Sequence, residues 1–235
     1  MICAVQSRTI ADEHPVVISG GRIPHVFDPD KPGPYNQIFD LMRAGLPRAV
    51  QVEFFPLSRA MRQMTSGQYD CFAMALKHSP NWARLGMDPK QYVFVGPIAW
   101  LRINAYVRKG ETLTDTSADG LGIAADSTIN NLKSAFAGGW GSRALIETES
   151  FVDALQLLAD GRVDVALAYD VDVQSLADDH PLMGQVVASG VTVAEMEDGI
   201  MCKSSEEMLP IILGLQENLD NLAADGTLDQ ILNQQ

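Results

Sequence analysis

Cysteine is scarce in this chain, and the scarcity limits the chemistry that the chain can carry. The 235 residues include three cysteines, Cys3, Cys71 and Cys202. No Cys-x-x-Cys pair and no Cys/His spacing typical of a metal site occurs. Cys71 and Cys202 lie in apolar, strand-like runs, where a free thiol behaves as a small hydrophobic side chain. We therefore interpret both as buried free thiols rather than as a disulfide or as metal ligands.

Basic residues are also in short supply. The chain has 17 lysines and arginines against 30 aspartates and glutamates, which gives a formal net charge of −13. Nucleic acids and anionic membranes bind proteins through a basic face, so the composition argues against both as partners. A hydrophobic content of 46% is ordinary for a globular protein with a hydrophobic core. We also expect the protein to be a monomer.

Long apolar runs and catalytic motifs are missing as well. No stretch approaches the roughly 18 apolar residues of a membrane span, and the five-residue segment 1–5 is too short for the core of a signal peptide. Either the protein is cytoplasmic or an export signal has been removed. The histidines show no metal-ligand spacing, and neither Gly-x-Ser-x-Gly nor a Walker-type loop occurs. We predict no catalytic residues, no metal and no cofactor.

A repeated pattern is the most informative feature that is present. Gly67-Gln-Tyr-Asp70 precedes an apolar run, and so does Gly161-Arg-Val-Asp164. Each copy follows apolar residues spaced three or four apart. This order predicts a helix, a turn and a strand that is covered on both faces, as in a parallel sheet wrapped by helices.

Two such copies predict an α/β fold with two lobes, each a mostly parallel sheet wrapped by helices. We place lobe 1 at residues 1–104 and 197–235 and lobe 2 at residues 105–196. The chain would cross between the lobes near residues 102–106 and 192–197. Two crossing strands form a hinge, and two hinged lobes imply a ligand cleft between them.

The order of these segments resembles the family 3 extracellular solute-binding proteins, the amino-acid-type receptors of ABC transporters. The segments that carry the resemblance are Gly67–Leu76, Arg84, Phe94–Pro97, Asp126–Thr128, Ala159–Asp164 and Leu222–Leu228. The resemblance implies the type II periplasmic-binding-protein fold, a periplasmic location, and delivery of a small ligand to a membrane permease. In that family a threonine contact is expected where Lys77 stands, and a ligand-binding acid where Tyr169 stands.

The candidate ligand-binding residues lie at the carboxyl ends of predicted strands, where open α/β sheets bind their ligands. A basic group there would attract anions, and the guanidinium of Arg84 offers a fork for a carboxylate. Ser127 and Thr128 occupy N-cap positions before a helix, where free N–H groups favour an anion. Trp100 could form an aromatic wall. The full set of candidates is Arg22, His25, Arg59, Lys77, His78, Arg84, Trp100, Ser127, Thr128, Tyr169 and Asp170.

The resulting hypothesis is a non-enzymatic receptor that captures a small anionic metabolite, an amino acid or a carboxylate, by hinge closure and delivers it to an ABC importer. Two alternatives stay open. One is a dehydratase or lyase of the cyclohexadienyl dehydratase type on the same scaffold, with Asp170, His25 or His78 as general acid. The other is a ligand-sensing module for a signalling partner. The sequence does not identify the ligand.

Overall fold

A computed structural model describes residues 14–23, 25–79, 81–113, 120–176 and 179–233, without the side chains of residues 81, 84 and 89. The strands are β1 (Val16–Arg22), β2 (Val50–Pro56), β3 (Cys71–Leu76), β4 (Tyr92–Arg108), β5 (Ile123–Asp126), β6 (Leu145–Thr148), β7 (Val165–Tyr169) and β8 (Val186–Lys203). The α-helices are α1 (Pro34–Met42), α2 (Leu57–Thr65), α3 (Asn81–Arg84), α4 (Ser127–Asn130), α5 (Phe151–Ala159), α6 (Asp170–Gln174), α7 (Leu209–Ala224) and α8 (Thr227–Leu232). The predicted mixed α/β class is confirmed.

The chain divides into two compact units. The first unit ends at Ala73 and resumes at Cys202, and the second unit is Met74–Met201. The chain therefore passes from one unit to the other inside β3 and again inside β8. The lobes placed at 1–104 with 197–235 and at 105–196 are a different partition, and they stay a prediction.

The sheet of the first unit has the strand order β2-β1-β3-β8. β1 runs parallel to both β2 and β3, and the terminal helices α7 and α8 pack on α1. The segment Ser19–Arg22 contains two consecutive glycines, which are typical of a loop, but it forms the second half of β1. A Cβ on Gly20 would lie 2.8 Å from Val52 Cγ1, and one on Gly21 would lie 2.3 Å from Leu57 Cδ1. The glycines therefore serve close side-chain packing within a strand rather than a turn.

The interpretation of the cysteines as free thiols is wrong for two of them. Cys71 on β3 and Cys202 on β8 form a disulfide inside the first unit. Both residues are fully buried, and the backbone N–H of Lys203 donates to the carbonyl of Asp70 beside them. The pairing depends on β3 lying next to β8, which joins residues 131 positions apart in the sequence. Cys3 lies outside the described residues.

The sheet of the second unit has the strand order β8-β4-β7-β5-β6. β5 runs parallel to β6 and β7, while β4 is antiparallel to β7. Alternate residues of β4 and β7 enter two different apolar clusters. One cluster contains Ile103, Ala105 and Leu167, and the other contains Tyr106 and Ala166 together with α5. The central strands are thus covered on both faces, as the repeated pattern predicts.

Both copies of the repeat form the predicted helix, turn and strand. α2 leads through Gly67 into β3, and α5 leads through Gly161 into β7. Both glycines have positive φ angles, +81° and +70°, which glycine adopts without a steric penalty. Each of the two strands then pairs in parallel with its neighbour, β3 with β1 and β7 with β5.

Candidate functional site

The carboxyl ends of β5 and β7 lie at the same edge of the second unit. The two strands are parallel, with Ile123 opposite Val165 and Ala125 opposite Leu167. β5 ends at Asp126 and β7 ends at Tyr169. The side chains that follow these strands are therefore brought together, and they form the group that we call the acidic edge: Asp126, Thr128, Tyr169, Asp170 and Asp172.

Asp126, rather than Ser127 or Thr128, caps helix α4. Its Oδ1 accepts hydrogen bonds from the backbone N–H of Ile129 (3.0 Å) and from Thr128 Oγ1 (2.6 Å). Ser127 and Thr128 are exposed and form the first turn of the helix. The N-cap placement predicted for them is therefore wrong by one or two residues, because the capping acceptor is the last residue of β5. A buried carboxylate satisfies a helix N–H group that the sequence-based prediction reserved for an anionic ligand.

Tyr169 connects the two strand ends. Its side chain is hydrogen-bonded to Thr128, and burial, with the charges of Asp126 and Asp172, raises the pKa of its hydroxyl. A raised pKa keeps the hydroxyl protonated at physiological pH. Tyr169 therefore contributes a neutral hydrogen-bonding group to the acidic edge and no charge.

The first turn of α6 adds two carboxylates. Asp170 Oδ1 accepts from the backbone N–H of Val171 at 2.9 Å. Burial, followed by the charges of Asp126 and Asp170, raises the pKa of Asp172 to about 6. Like charges that are partly withdrawn from water repel, and an added cation would relieve that repulsion. The acidic edge is thus suited to a cationic group such as an ammonium.

Lys77 forms a salt bridge with Glu197 within the second unit. Its Nζ is 2.6 Å from Glu197 Oε2 and 5.4 Å from the centre of the Phe94 ring, and its backbone N–H donates to the Glu197 carbonyl. The neighbouring His78 is exposed. The charge of Lys77 is thus paired with that of Glu197, and a contact of Lys77 with a ligand stays a prediction.

Two further candidates lie in this unit. Arg84 is the last residue of α3, and its side chain lies outside the described residues. Trp100 lies on β4 with 50% of its surface exposed. A half-exposed indole can offer a ring face to a small molecule.

The remaining candidates, Arg22, His25 and Arg59, lie in the first unit. Arg22 is paired with Asp30 at 2.8 Å and approaches Asp28 at 3.6 Å. Burial alone would raise the pKa of Asp28, but hydrogen bonds from the N–H groups of Asp30 and Lys31, helped by Arg22, hold it below its usual range. His25 is exposed, with φ of +62°. Arg59 lies over the ring of Phe55 at 5.1 Å.

The comparisons with known proteins identify the fold. No protein-family model matches the chain, and no curated protein is significantly similar to it. Solved structures do match. A histidine kinase sensor domain with similarity to periplasmic binding proteins is 19% identical, with a TM-score of 0.67, over 92% of this chain and 93% of that one.

Two receptors match over a similar length. The ligand-binding core of GluR0 from Nostoc punctiforme, solved with L-glutamate, is 14% identical, with a TM-score of 0.67, over 92% of this chain and 97% of that one. The arginine-, lysine- and histidine-binding protein ArtJ from Geobacillus stearothermophilus is 14% identical, with a TM-score of 0.62, over 93% and 94%. This chain has the periplasmic-binding-protein fold. The resemblance predicted from the sequence is thus confirmed at the level of the fold.

Sequence reasoning missed two carboxylates of this periplasmic-binding-protein fold. Asp126 and Asp172 were not among the candidates, although each follows a predicted strand within three residues. Two parallel neighbouring strands end at one edge of a sheet. The patterns Asp126-x-Thr128 and Asp170-x-Asp172, each directly after an apolar run, could therefore have indicated a group of carboxylates at that edge. Among the described residues, no three His, Cys, Asp or Glu side chains are arranged to hold a metal ion.

Proposed function

We propose that the chain is a non-enzymatic receptor for a small ligand that carries a cationic amino group, such as an amino acid or an amine. The observation that carries the proposal is the acidic edge. Three carboxylates follow the two strand ends there, and the pKa of Asp172 is raised to about 6 by burial and by the charges of Asp126 and Asp170. A bound ammonium group would offset the repulsion among them.

The known ligands of similar folds support the amino-acid class. GluR0 was solved with L-glutamate, and ArtJ is an arginine-, lysine- and histidine-binding protein. Of the two ligand classes expected from the sequence, amino acids and carboxylates, we propose the first. Lys77 and Arg22 already have carboxylate partners, which leaves less positive charge for a purely anionic ligand.

The proposal includes capture by closure and delivery to a partner. A ligand shifts a conformational equilibrium only by binding one form better than the other, so the ligand must bind the closed form more tightly. We propose an ABC importer as the partner and the periplasm as the location. The Cys71–Cys202 disulfide supports this location, because disulfides persist mainly in oxidising compartments. No helix in the described part of the chain combines the length and the apolar character that a membrane span requires.

A signalling partner is the second candidate. It is favoured by the similarity to a histidine kinase sensor domain. Deletion of the gene separates the two roles: loss of ligand uptake supports import, whereas intact uptake with a lost transcriptional response to the ligand supports signalling.

The receptor proposal is tested by thermal shift and calorimetry with matched small molecules. The panel contains L-arginine, L-lysine, L-glutamine and L-glutamate, together with amines and carboxylates of the same carbon skeletons. We expect an amino-bearing compound to raise Tm and Asp172→Asn to weaken its binding at least tenfold. Asp160→Asn is the matched control, because Asp160 is an exposed aspartate at the end of α5, where the chain enters β7.

The opposite pattern would overturn the proposal. If only carboxylates without an amino group stabilise the protein, or if Asp172→Asn binds the amino compound as tightly as Asp160→Asn does, the acidic edge is not the ligand site. Turnover of a bound compound into a new product would contradict the non-enzymatic part.

A further inference from the structure

A second feature of the second unit shares Asp170 with the acidic edge and otherwise has residues of its own. A cavity of about 540 Å³ lies between β4, α6 and the first half of β8. This volume is within the range of sites that hold small molecules in proteins. The cavity contacts the sheet face that carries Tyr106, whereas Tyr169 packs into the apolar cluster on the other face.

One wall of the cavity is a chain of hydrogen bonds across two strands. Thr192 Oγ1 on β8 donates to Asn104 Oδ1 on β4 at 2.9 Å. Asn104 is in turn hydrogen-bonded to Tyr106, and this hydrogen bond acts to lower the pKa of the tyrosine, as an amide N–H that donates to the phenol oxygen does. This arrangement leaves Tyr106 its own proton to offer to an acceptor. Burial, helped by the charge of Asp170, raises the pKa of Tyr106 and keeps that proton in place.

The charges around the cavity are unbalanced. Arg102 is the cation of the lining, and its Nε is 2.7 Å from Glu195 Oε1, so its charge is matched by a carboxylate. Asp170 lines the cavity as a further carboxylate. The pair and the extra acid together leave one net negative charge, which favours a ligand with one positive charge.

Much of the rest of the lining is apolar. Val173 from α6 and Val186 from β8 are buried, and Met183 lies beside them. Val187, which also lines the cavity, has 40% of its surface exposed although it is a large hydrophobic residue. A ligand tail that covered Val187 and the exposed part of Met183 would gain the free energy of removing apolar surface from water.

We propose that this cavity is a second small-molecule site, which binds an amphipathic primary amine with its ammonium at Asp170 and its apolar tail against Val173, Met183 and Val186. The amine would form a charge-assisted hydrogen bond to the carboxylate. A hydroxyl on the ligand could accept the proton of Tyr106. The site lies on the other face of the sheet from the acidic edge. Its residues also differ from those of the acidic edge, except that Asp170 belongs to both.

The test uses phenethylamine as the probe with the intact chain, and 2-phenylethanol and 3-phenylpropionate as matched compounds of similar shape. Binding is followed by NMR of the methyl groups of Val173, Met183 and Val186. We expect the amine to shift these signals with at least tenfold higher affinity than the alcohol or the carboxylate. Asp170→Asn should lower the affinity for the amine at least tenfold, and Ala188→Trp, which fills the cavity from its rim, should abolish binding.

The controls separate this site from the proposed receptor site. Asp172→Asn should weaken binding of the receptor's amino ligand far more than it weakens binding of phenethylamine, and Asp160→Asn should affect neither. The proposal is overturned if the alcohol binds as well as the amine, if Asp170→Asn and Ala188→Trp both bind phenethylamine as the unmodified protein does, or if the signals that shift are those of the acidic edge.

Discussion

At the scale of single residues, Asp172 is a carboxylate whose protonation depends on its surroundings in the folded state. Its side chain is partly buried, and burial together with the charges of Asp126 and Asp170 raises its pKa from 3.8 to about 6. An acid whose pKa is higher in the folded state than in the unfolded state binds more protons when folded. Its contribution to stability is therefore complete below pH 4 and is lost as the pH rises through 6.

This shift predicts a pH-dependent effect of Asp172→Asn. A shift of two pKa units corresponds to about 3 kcal/mol at most. As the pH rises from 4 to 7, the free energy of unfolding of the variant should therefore increase relative to that of the unmodified protein by up to about that amount. Urea denaturation at several pH values measures the difference in the free energy of unfolding. Asp160→Asn is the control. A difference between Asp172→Asn and the unmodified protein that stays constant from pH 4 to pH 7 would contradict the raised pKa.

The residue scale also shows why the site was only partly predictable. The sequence places Tyr169 and Asp170 at the end of β7 because an apolar run and a preceding glycine locate that end. The partner of Lys77 could not be found this way, because Glu197 is 120 residues away and meets it only through the pairing of β8. The sequence shows a lysine after a strand, but the carboxylate that pairs with it can be identified only from the fold.

At the scale of elements, the contact between β4 and β8 in the second unit depends on a glycine. A Cβ on Gly199 would lie 2.3 Å from the carbonyl oxygen of Val95 and 2.8 Å from the Phe94 ring. The carbonyl belongs to the backbone of a paired strand, so it cannot move aside as a flexible side chain could. The two strands can approach this closely only because residue 199 has no side chain.

We therefore expect Gly199→Ala to destabilise the protein by about 1–3 kcal/mol or more, since forced overpacking costs that much in a well-packed interior. The measurement is the free energy of unfolding in urea. Gly184→Ala is the matched control, because a Cβ there would have no atom within 4 Å. Equal stability of the two variants would show that β4 and β8 tolerate a wider separation.

Elements with a local pattern were predictable from the sequence, and elements defined by distant partners were not. α2 with β3, and α5 with β7, follow from the spacing of apolar residues and from Gly67 and Gly161. The second half of β1 was missed because Gly20 and Gly21 have the composition of a loop, and their place in a strand depends on Val52 and Leu57 of neighbouring elements.

At the scale of the whole molecule, the disulfide joins the two segments of the first unit. Cys71 lies near the end of the first segment, which ends at Ala73, and Cys202 is the first residue of the second segment. A cross-link between residues far apart in the sequence restricts the unfolded chain more than a short-range one does, and loss of a native disulfide commonly costs about 2–5 kcal/mol.

The double variant Cys71→Ser with Cys202→Ser should therefore unfold at a lower temperature than the oxidised protein. A reducing agent should lower the Tm of the unmodified protein and leave that of the double variant unchanged. Cys3→Ser serves as the control. If reduction leaves the Tm of the unmodified protein where it was, the disulfide does not contribute to stability.

The same bond has a consequence for how the chain behaves once its backbone is broken. All of Met74–Met201 lies inside the ring that the Cys71–Cys202 bond closes. A protease nick anywhere in that stretch leaves two fragments that still migrate as one band without reductant. The amino-terminal and carboxyl-terminal parts of the first unit would thus stay attached to each other after the inserted unit is cut.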